Sequence, residues 1–336
     1  MIDALVLEST GETVQATVRA LRIEDLPQQP VRIQVLYSSI NYKDALAVTG
    51  RGKVIRAPYP FVPGIDLAGR VVESHTPDFA PGDLVIQTGG GLGEKAWGGY
   101  SQEQRVSPQW LLPLPEGLTP LRSMVIGTAG LTAMLSVIAL EAQGLTPDSG
   151  EVIVTGASGG VGSFAVAILA CQGYTVAAST GSNAAHQYLR DLGAAQIRDR
   201  AELAGGPKRP LEAGQWAGAI DTVGGATLAA ILTRLDRRGS VAACGNAGGI
   251  RFETTVFPFI LRGVSLLGID SNTAPMPLRQ KAWERLSDER LQDVTDRILS
   301  GILALDALPG AAQRMMAGSV TGRLVVDVQS VRGAGT

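Results

Sequence analysis

The chain has 336 residues, more than twice the length of an ordinary domain, so two domains are expected. Its 29 Lys and Arg nearly balance 31 Asp and Glu, a formal net charge of -2, which excludes the basic surplus that a nucleic-acid partner needs. With 45% apolar and 18% charged residues it can fill a large core, and its 42 glycines far outnumber its aromatics, favouring tight turns over aromatic packing.

Cysteine and histidine are scarce: Cys171, Cys244, His75 and His186 are the whole supply. A structural zinc wants four closely spaced ligands and a catalytic one three plus water, so no metal is expected. Cys244 reads as a small buried apolar residue, and the two histidines read as surface residues. The first residues carry an early acid, Asp3, and no basic stretch before an apolar run, so no secretory leader is expected. No membrane partner is expected and the expected location is cytoplasmic.

In chain order, the first third reads as β-rich. Residues 4–7, 14–18, 31–37, 67–72 and 84–88 are alternating or β-branched runs separated by Gly, Pro and polar clusters. They predict a small barrel or sandwich, in which the proline-rich stretches 59–63 and 108–115 are not central strands. Residues 123–140 carry no charge but include Gly127, Thr128, Gly130, Thr132 and Ser136, which predicts a buried helix after a glycine turn rather than a membrane span.

From there the rhythm changes to short apolar strands alternating with helices. Strands are predicted at 151–155, 175–179, 195–198, 218–221, 241–244 and 264–269, with helices at 162–172, 183–192 and 226–235. That alternation predicts a doubly wound parallel sheet. Residues 277–299 have a charged amphipathic pattern, 322–328 read as a late strand, and 330–336 as a frayed end. A late strand implies that the chain returns to its first domain. The predicted division is 1–122 as substrate domain, 123–271 as nucleotide domain, and 272–336 as the return.

The most specific motif is Val152-Ile153-Val154-Thr155-Gly156-Ala157-Ser158-Gly159-Gly160-Val161-Gly162. It follows an apolar strand and opens an apolar helix, the setting in which glycines admit a pyrophosphate to backbone N–H groups and the helix N-terminus. Folds of this kind that take NAD place an acid about 20 residues on, at the end of the second strand. Here that strand ends in Thr180-Gly181-Ser182, and no acid occurs from Val152 to Leu189. A carboxylate would repel a 2′-phosphate, so NADPH is the expected cofactor. The cation would be Arg200, Arg198 or Arg190.

Three further stretches end strands of the first domain: Ser39-Ile40-Asn41-Tyr42-Lys43-Asp44, Pro63-Gly64-Ile65-Asp66 and Trp97-Gly98-Gly99-Tyr100. With Ile126-Gly127-Thr128-Ala129-Gly130, Ala217 to Gly224 and Pro258 to Arg262, they make the chain resemble the medium-chain dehydrogenase/reductase superfamily over essentially its whole length. The resemblance is to the zinc-free, quinone-oxidoreductase-like branch, and within it to the acrylyl-CoA reductases. It implies a GroES-like β-barrel substrate domain plus a Rossmann doubly wound sheet. Ile65 and Asp66 stand where zinc-dependent relatives carry a metal-binding His and Glu.

Carried over residue by residue, the resemblance places Tyr42 against the nicotinamide ribose and adds Thr128 to the cofactor contacts. Ser158, Gly159, Gly160 and Val161 would cradle the pyrophosphate. Thr180, Gly181, Ser182 and Arg200 would surround the 2′-phosphate, with Ser182 standing where relatives commonly have Arg. Asn246, Ile269, Ser271 and Arg323 would line the nicotinamide end. The implied reaction is hydride transfer to the double bond of an enoyl thioester, acrylyl-CoA to propionyl-CoA. Tyr42 is the candidate proton donor or relay, against solvent or a role in contacting the ribose alone; Asn41 is a carbonyl donor or turn brace, and Asp66 a loop-organising acceptor or base. Arg51, Lys53 and Arg56 are candidates for the phosphates of coenzyme A. A quinone or an α,β-unsaturated ketone is the alternative acceptor, and a non-catalytic NADPH-binding protein the alternative of another class. A homodimer is expected, with residues 264–269 as the pairing edge.

Overall fold

A computed structural model of the chain describes residues 1–11 and 13–330; of the predicted frayed end, 331–336 lie outside the described residues. The chain divides into two compact units. The first comprises Met1–Thr128, Asn272–Gln280 and Leu299 onward, and the second comprises Ala129–Ser271 and Lys281–Ile298.

The first unit opens with the antiparallel hairpin β1 (Ile2–Thr10) and β2 (Thr13–Leu21). Next come β3 (Val31–Ser39), the short helix α1 (Tyr42–Val48), β4 (Asp66–Ser74), β5 (Leu84–Thr88), β6 (Glu103–Val106) and the two-residue β7 (Leu112–Pro113). Leu5, Leu7, Ile33, Val35, Leu67 and Val71 fill the interior, as period-two alternation on half-buried strands requires. β3 is the hub, pairing antiparallel with both β4 and β6. The proline-rich stretch 108–115 contributes only β7, on the sheet edge beside β5, where a missing N–H is tolerated.

Helix α2 (Pro120–Ala142) starts earlier than the sequence predicts, and its glycine lies inside it. Gly127 takes φ 47° and ψ -156° and breaks the helix there. By length and composition α2 would cross a membrane, but 83% of its apolar window is buried within the protein, the mark of a core helix.

The second unit contains β8 (Val152–Val154), α3 (Gly160–Cys171), β9 (Val176–Thr180), α4 (His186–Asp191), β10 (Gln196–Asp199), α5 (Ala201–Ala204), β11 (Trp216–Asp221), α6 (Gly225–Arg234), β12 (Leu235–Ala243), α7 (Phe257–Arg262) and β13 (Ser265–Gly268). All five strand pairings are parallel, and the order is β10-β9-β8-β11-β12-β13. That is the 3-2-1-4-5-6 order of a dinucleotide-binding sheet, with its switch point between β8 and β11. β8 is Val-Ile-Val with every side chain buried, as a strand covered on both faces must be.

The predicted amphipathic tail is two helices, α8 (Met276–Leu286) and α9 (Gln292–Ile298). Strand β14 (Leu299–Ala304) and helix α10 (Leu308–Met316), which the sequence pattern did not reveal, precede the late strand β15 (Arg323–Asp327). β15 runs parallel to β14 and antiparallel to β3, which completes the seven-stranded sheet of the first unit.

Candidate functional site

The phosphate turn is made almost wholly of backbone. β8 ends at Val154, the chain turns through Gly156, and α3 begins at Gly160. The first N–H groups of α3 have no carbonyl ahead of them in the helix and face outward, with the helix dipole behind them. Gly162 is there by necessity: a Cβ on it would lie 2.3 Å from the Gly156 carbonyl oxygen. Gly156 has φ 56°, and a Cβ there would meet the Thr222 hydroxyl at 2.3 Å.

The neighbouring strand end braces this turn. Asp221, at the end of β11, accepts from the Thr155 hydroxyl at 2.6 Å and from the Gly224 N–H at 2.8 Å, and burial raises its carboxyl pKa. Thr222 donates to the Thr155 carbonyl at 2.9 Å. Asp221 thus ties together the two loops at the switch point. Sequence reasoning missed this role, although the residue ends a predicted strand. Cys244 donates weakly to the Asp221 carbonyl, and burial pushes its thiol up to about 12, so it has no thiolate character.

At the end of β9 the Ser158 and Thr180 hydroxyls are 3.2 Å apart, and the Ser182 N–H donates to Thr180 Oγ1 at 3.1 Å. The Arg200 guanidinium lies over Gly181, so close that a Cβ there would be 2.7 Å from its central carbon. Of the three candidate cations, Arg200 is the one placed against this turn. Arg198 reaches toward Glu151 at 3.9 Å, and Arg190 is an exposed residue of α4. His186 is half-buried at the surface, and His75 is exposed. Asn246 is exposed after β12, Ile269 follows β13, and the Ser271 hydroxyl accepts from Thr132 at 2.7 Å.

In the first unit the residues from three of the quoted stretches meet. Asp66 Oδ2 accepts from the Ser39 hydroxyl at 2.6 Å, Asn41 Nδ2 at 2.9 Å and the Thr128 N–H at 2.9 Å, while Oδ1 accepts from the Thr128 hydroxyl at 2.6 Å. The break at Gly127 makes this possible. It turns Thr128 inward, and any Cβ on Gly127 would sit 2.6 Å from Asp66 Oδ2. Asp66 thus accepts four hydrogen bonds from donors on two other segments of the first unit.

Asn41 precedes α1 and Asp44 closes its first turn, accepting from the Asn41 N–H at 2.9 Å, Asn41 Nδ2 at 3.1 Å and the Ile65 N–H at 3.0 Å. Arg323, expected at the nicotinamide end, is buried in this network. It donates to the Val125 and Ile40 carbonyls, Asn41 Oδ1 and Ser39 Oγ, and lies 3.9 Å from Asp66. Tyr100 donates to the Ser39 carbonyl at 3.0 Å, and burial raises its pKa.

Tyr42, the first residue of α1, is 43% exposed. Lys43 pairs with the buried Glu94 at 2.8 Å. Arg51, Lys53 and Arg56 are exposed in the loop after α1, Arg51 at the rim of a surface depression of about 340 Å³ with Val14, Thr49 and Pro309.

Comparison with known proteins matches residues 27–116 to the alcohol dehydrogenase GroES-like domain and residues 160–288 to the zinc-binding dehydrogenase family. The chain is 50% identical to the acrylyl-CoA reductase AcuI of Ruegeria pomeroyi, covering 98% of this chain and 100% of that one. It is 46% identical to the probable acrylyl-CoA reductase AcuI of Escherichia coli (97% and 100%) and 45% identical to the putative quinone oxidoreductase YhfP of Bacillus subtilis (98% and 99%). The YhdH oxidoreductase of Salmonella enterica, solved in complex with NADP, superimposes with a TM-score of 0.94 at 47% identity, covering 97% of this chain and 99% of that one. The Bacillus subtilis YhfP structure, with NAD bound, does so with a TM-score of 0.93.

The second family's description implies zinc, and the residues here do not fit one. Ile65 offers no ligand, and Asp66 gives its oxygens to four protein donors. Among the described residues no three His, Cys, Asp or Glu side chains come together to hold a metal.

Proposed function

Because the chain belongs to the medium-chain dehydrogenase/reductase superfamily, in the branch that holds the AcuI acrylyl-CoA reductases, we propose that it uses NADPH to reduce the double bond of an enoyl thioester, acrylyl-CoA to propionyl-CoA. The observation that carries this reading is the end-to-end likeness at 50% identity to an acrylyl-CoA reductase and at 46% to a probable one. A quinone as acceptor is the second reading, supported by the 45% identity to a putative quinone oxidoreductase.

Bound at the glycine turn, NADPH supplies the hydride. The backbone of residues 158–161 holds the pyrophosphate at the start of α3. Arg200, with Thr180, Gly181 and Ser182, takes the 2′-phosphate, and the missing acid leaves nothing there to repel it. Asn246, Ile269 and Ser271 serve the nicotinamide end. Thr128 and Tyr42 are the first-unit residues offered to ligand, and Asn41, Asp66 and Arg323 hold them in place. Reduction of a polarised double bond leaves negative charge on the thioester oxygen and needs a proton at the α-carbon. Tyr42 delivers or relays that proton, and no metal takes part. Arg51, Lys53 and Arg56 meet the coenzyme A phosphates from their exposed loop.

The enzyme works as a cytoplasmic homodimer. Supporting the dimer, β13 is one of the two edge strands of its sheet, and Ile260, Leu261 and Leu266 beside it are exposed apolar residues. Sedimentation equilibrium should give twice the chain mass; a monomer would reject the dimer.

The test of function is NADPH oxidation with acrylyl-CoA, a quinone and an enone in parallel. Turnover with acrylyl-CoA exceeding the other two is expected. Preference for the quinone would favour the second reading, and tight NADPH binding without turnover on any acceptor would reject both.

A further inference from the structure

The network under Tyr42 holds two buried carboxylates and one buried cation. Arg323 lies beside Asp66 and makes no hydrogen bond to Asp44. Asp44 is left with three N–H donors, two on Oδ2 from Asn41 and one on Oδ1 from Ile65. These bonds tie the last residue before α1 to the turn that leads into β4.

From the network geometry we infer that Asp44 is a positioning residue, which in its ionised form holds the Asn41–Tyr42 start of α1 in the working arrangement and on proton uptake releases it. The inference rests on the reductase reading above and adds a control to the same site.

Three features support it. First, a carboxylate is a stronger acceptor than a neutral carboxyl, and a proton added to Oδ2 would face two N–H groups already pointing at that oxygen. Second, the groups that face Asp44 from the packed elements are Asp66 of β4, Arg323 of β15 and Tyr100. Burial, then the Asp66 charge, push Asp44 up to about 7, against the pull of its three donors. The switch therefore falls at neutral pH. Third, Tyr42 is exposed and follows Asn41 directly, so a loosened Asn41 shifts the side chain offered to ligand.

The arrangement predicts opposite pH responses for stability and activity. A carboxyl raised in the folded state binds its proton more tightly there than in the unfolded chain. Its contribution to stability is full below the unfolded value of 3.8 and is lost as pH rises through about 7. Activity that needs the ionised form rises over the same upper interval. A residue that only held the fold together would move both in the same direction.

The experiment pairs pH profiles with direct titration. The wild-type kcat/KM for acrylyl-CoA with NADPH should fall about tenfold per pH unit below about 7. Aspartate-selective 13C NMR should show one buried carboxyl titrating at the same midpoint, with the Asn41, Tyr42 and Ile65 amide shifts moving alongside. Asp44→Asn should abolish that resonance and flatten the acid limb, lowering kcat more than the KM for NADPH. An acid limb unchanged in Asp44→Asn overturns the inference, and so does the absence of any aspartate titrating near neutrality in the wild type. Where Asp44→Asn does not fold, the wild-type coincidence of NMR midpoint and kinetic limb decides alone. Failure to turn over any acceptor would reject the reductase reading, while the joint titration of Asp44 with the Asn41 and Tyr42 amides would still decide the positioning claim.

Discussion

The glycine turn of the second unit and the polar network of the first are built by opposite means. The turn is backbone, with side chains removed wherever a Cβ would collide, as at Gly162 and Gly156. The network is side chain, with two carboxylates, a guanidinium and several hydroxyls and amides buried together. A turn made of backbone tolerates no added atom. A network made of buried charge tolerates no missing partner. The two regions should therefore fail differently.

The largest effect is expected from Arg323→Met, which leaves two buried carboxylates without their cation and should cost on the order of 3–5 kcal/mol, read as a lower denaturation midpoint. A loss below about 1 kcal/mol would show that the network relaxes easily. Next comes Gly162→Ala, whose Cβ meets the Gly156 carbonyl at 2.3 Å. It should destabilise by about 1–3 kcal/mol and also abolish detectable NADPH binding by fluorescence titration. Normal binding would mean that the turn yields.

Arg200→Ala should weaken NADPH by about tenfold or more while leaving NADH nearly unchanged, because only the former carries the 2′-phosphate. Equal losses would remove Arg200 from that role. The smallest structural effect belongs to Tyr42→Phe, within about 0.5 kcal/mol for an exposed position, with slower turnover and unchanged NADPH affinity. An unchanged rate would assign the proton to solvent.

The two regions also differ in how far they could be read in advance. The turn was legible residue by residue, because a strand, a glycine cluster and a helix are contiguous and the mechanism depends on that contiguity. Even its missing acid was visible. The network was legible only in pieces. Asn41 and Asp66 stand out as members of strand-ending motifs, but nothing in the sequence shows that Arg323, nearly 260 residues beyond Asp66, meets them in one buried network. Asp44 was no more than a motif letter. β14 and α10 escaped notice because β14 is short and mixed in burial, and α10 begins in an unremarkable Leu-Pro-Gly.

By itself the amino-acid sequence determined what depends on local order: the nucleotide turn, the parallel second unit and the membership of the superfamily. Tertiary structure alone decided which side chains meet. Hydrogen bonds from Ser39, Asn41 and Thr128 to one carboxylate, and the burial that raises the Asp44 carboxyl, arise from contacts between residues far apart in the chain. Burial sets the strength of those contacts, and burial belongs to the folded molecule rather than to any stretch of its sequence.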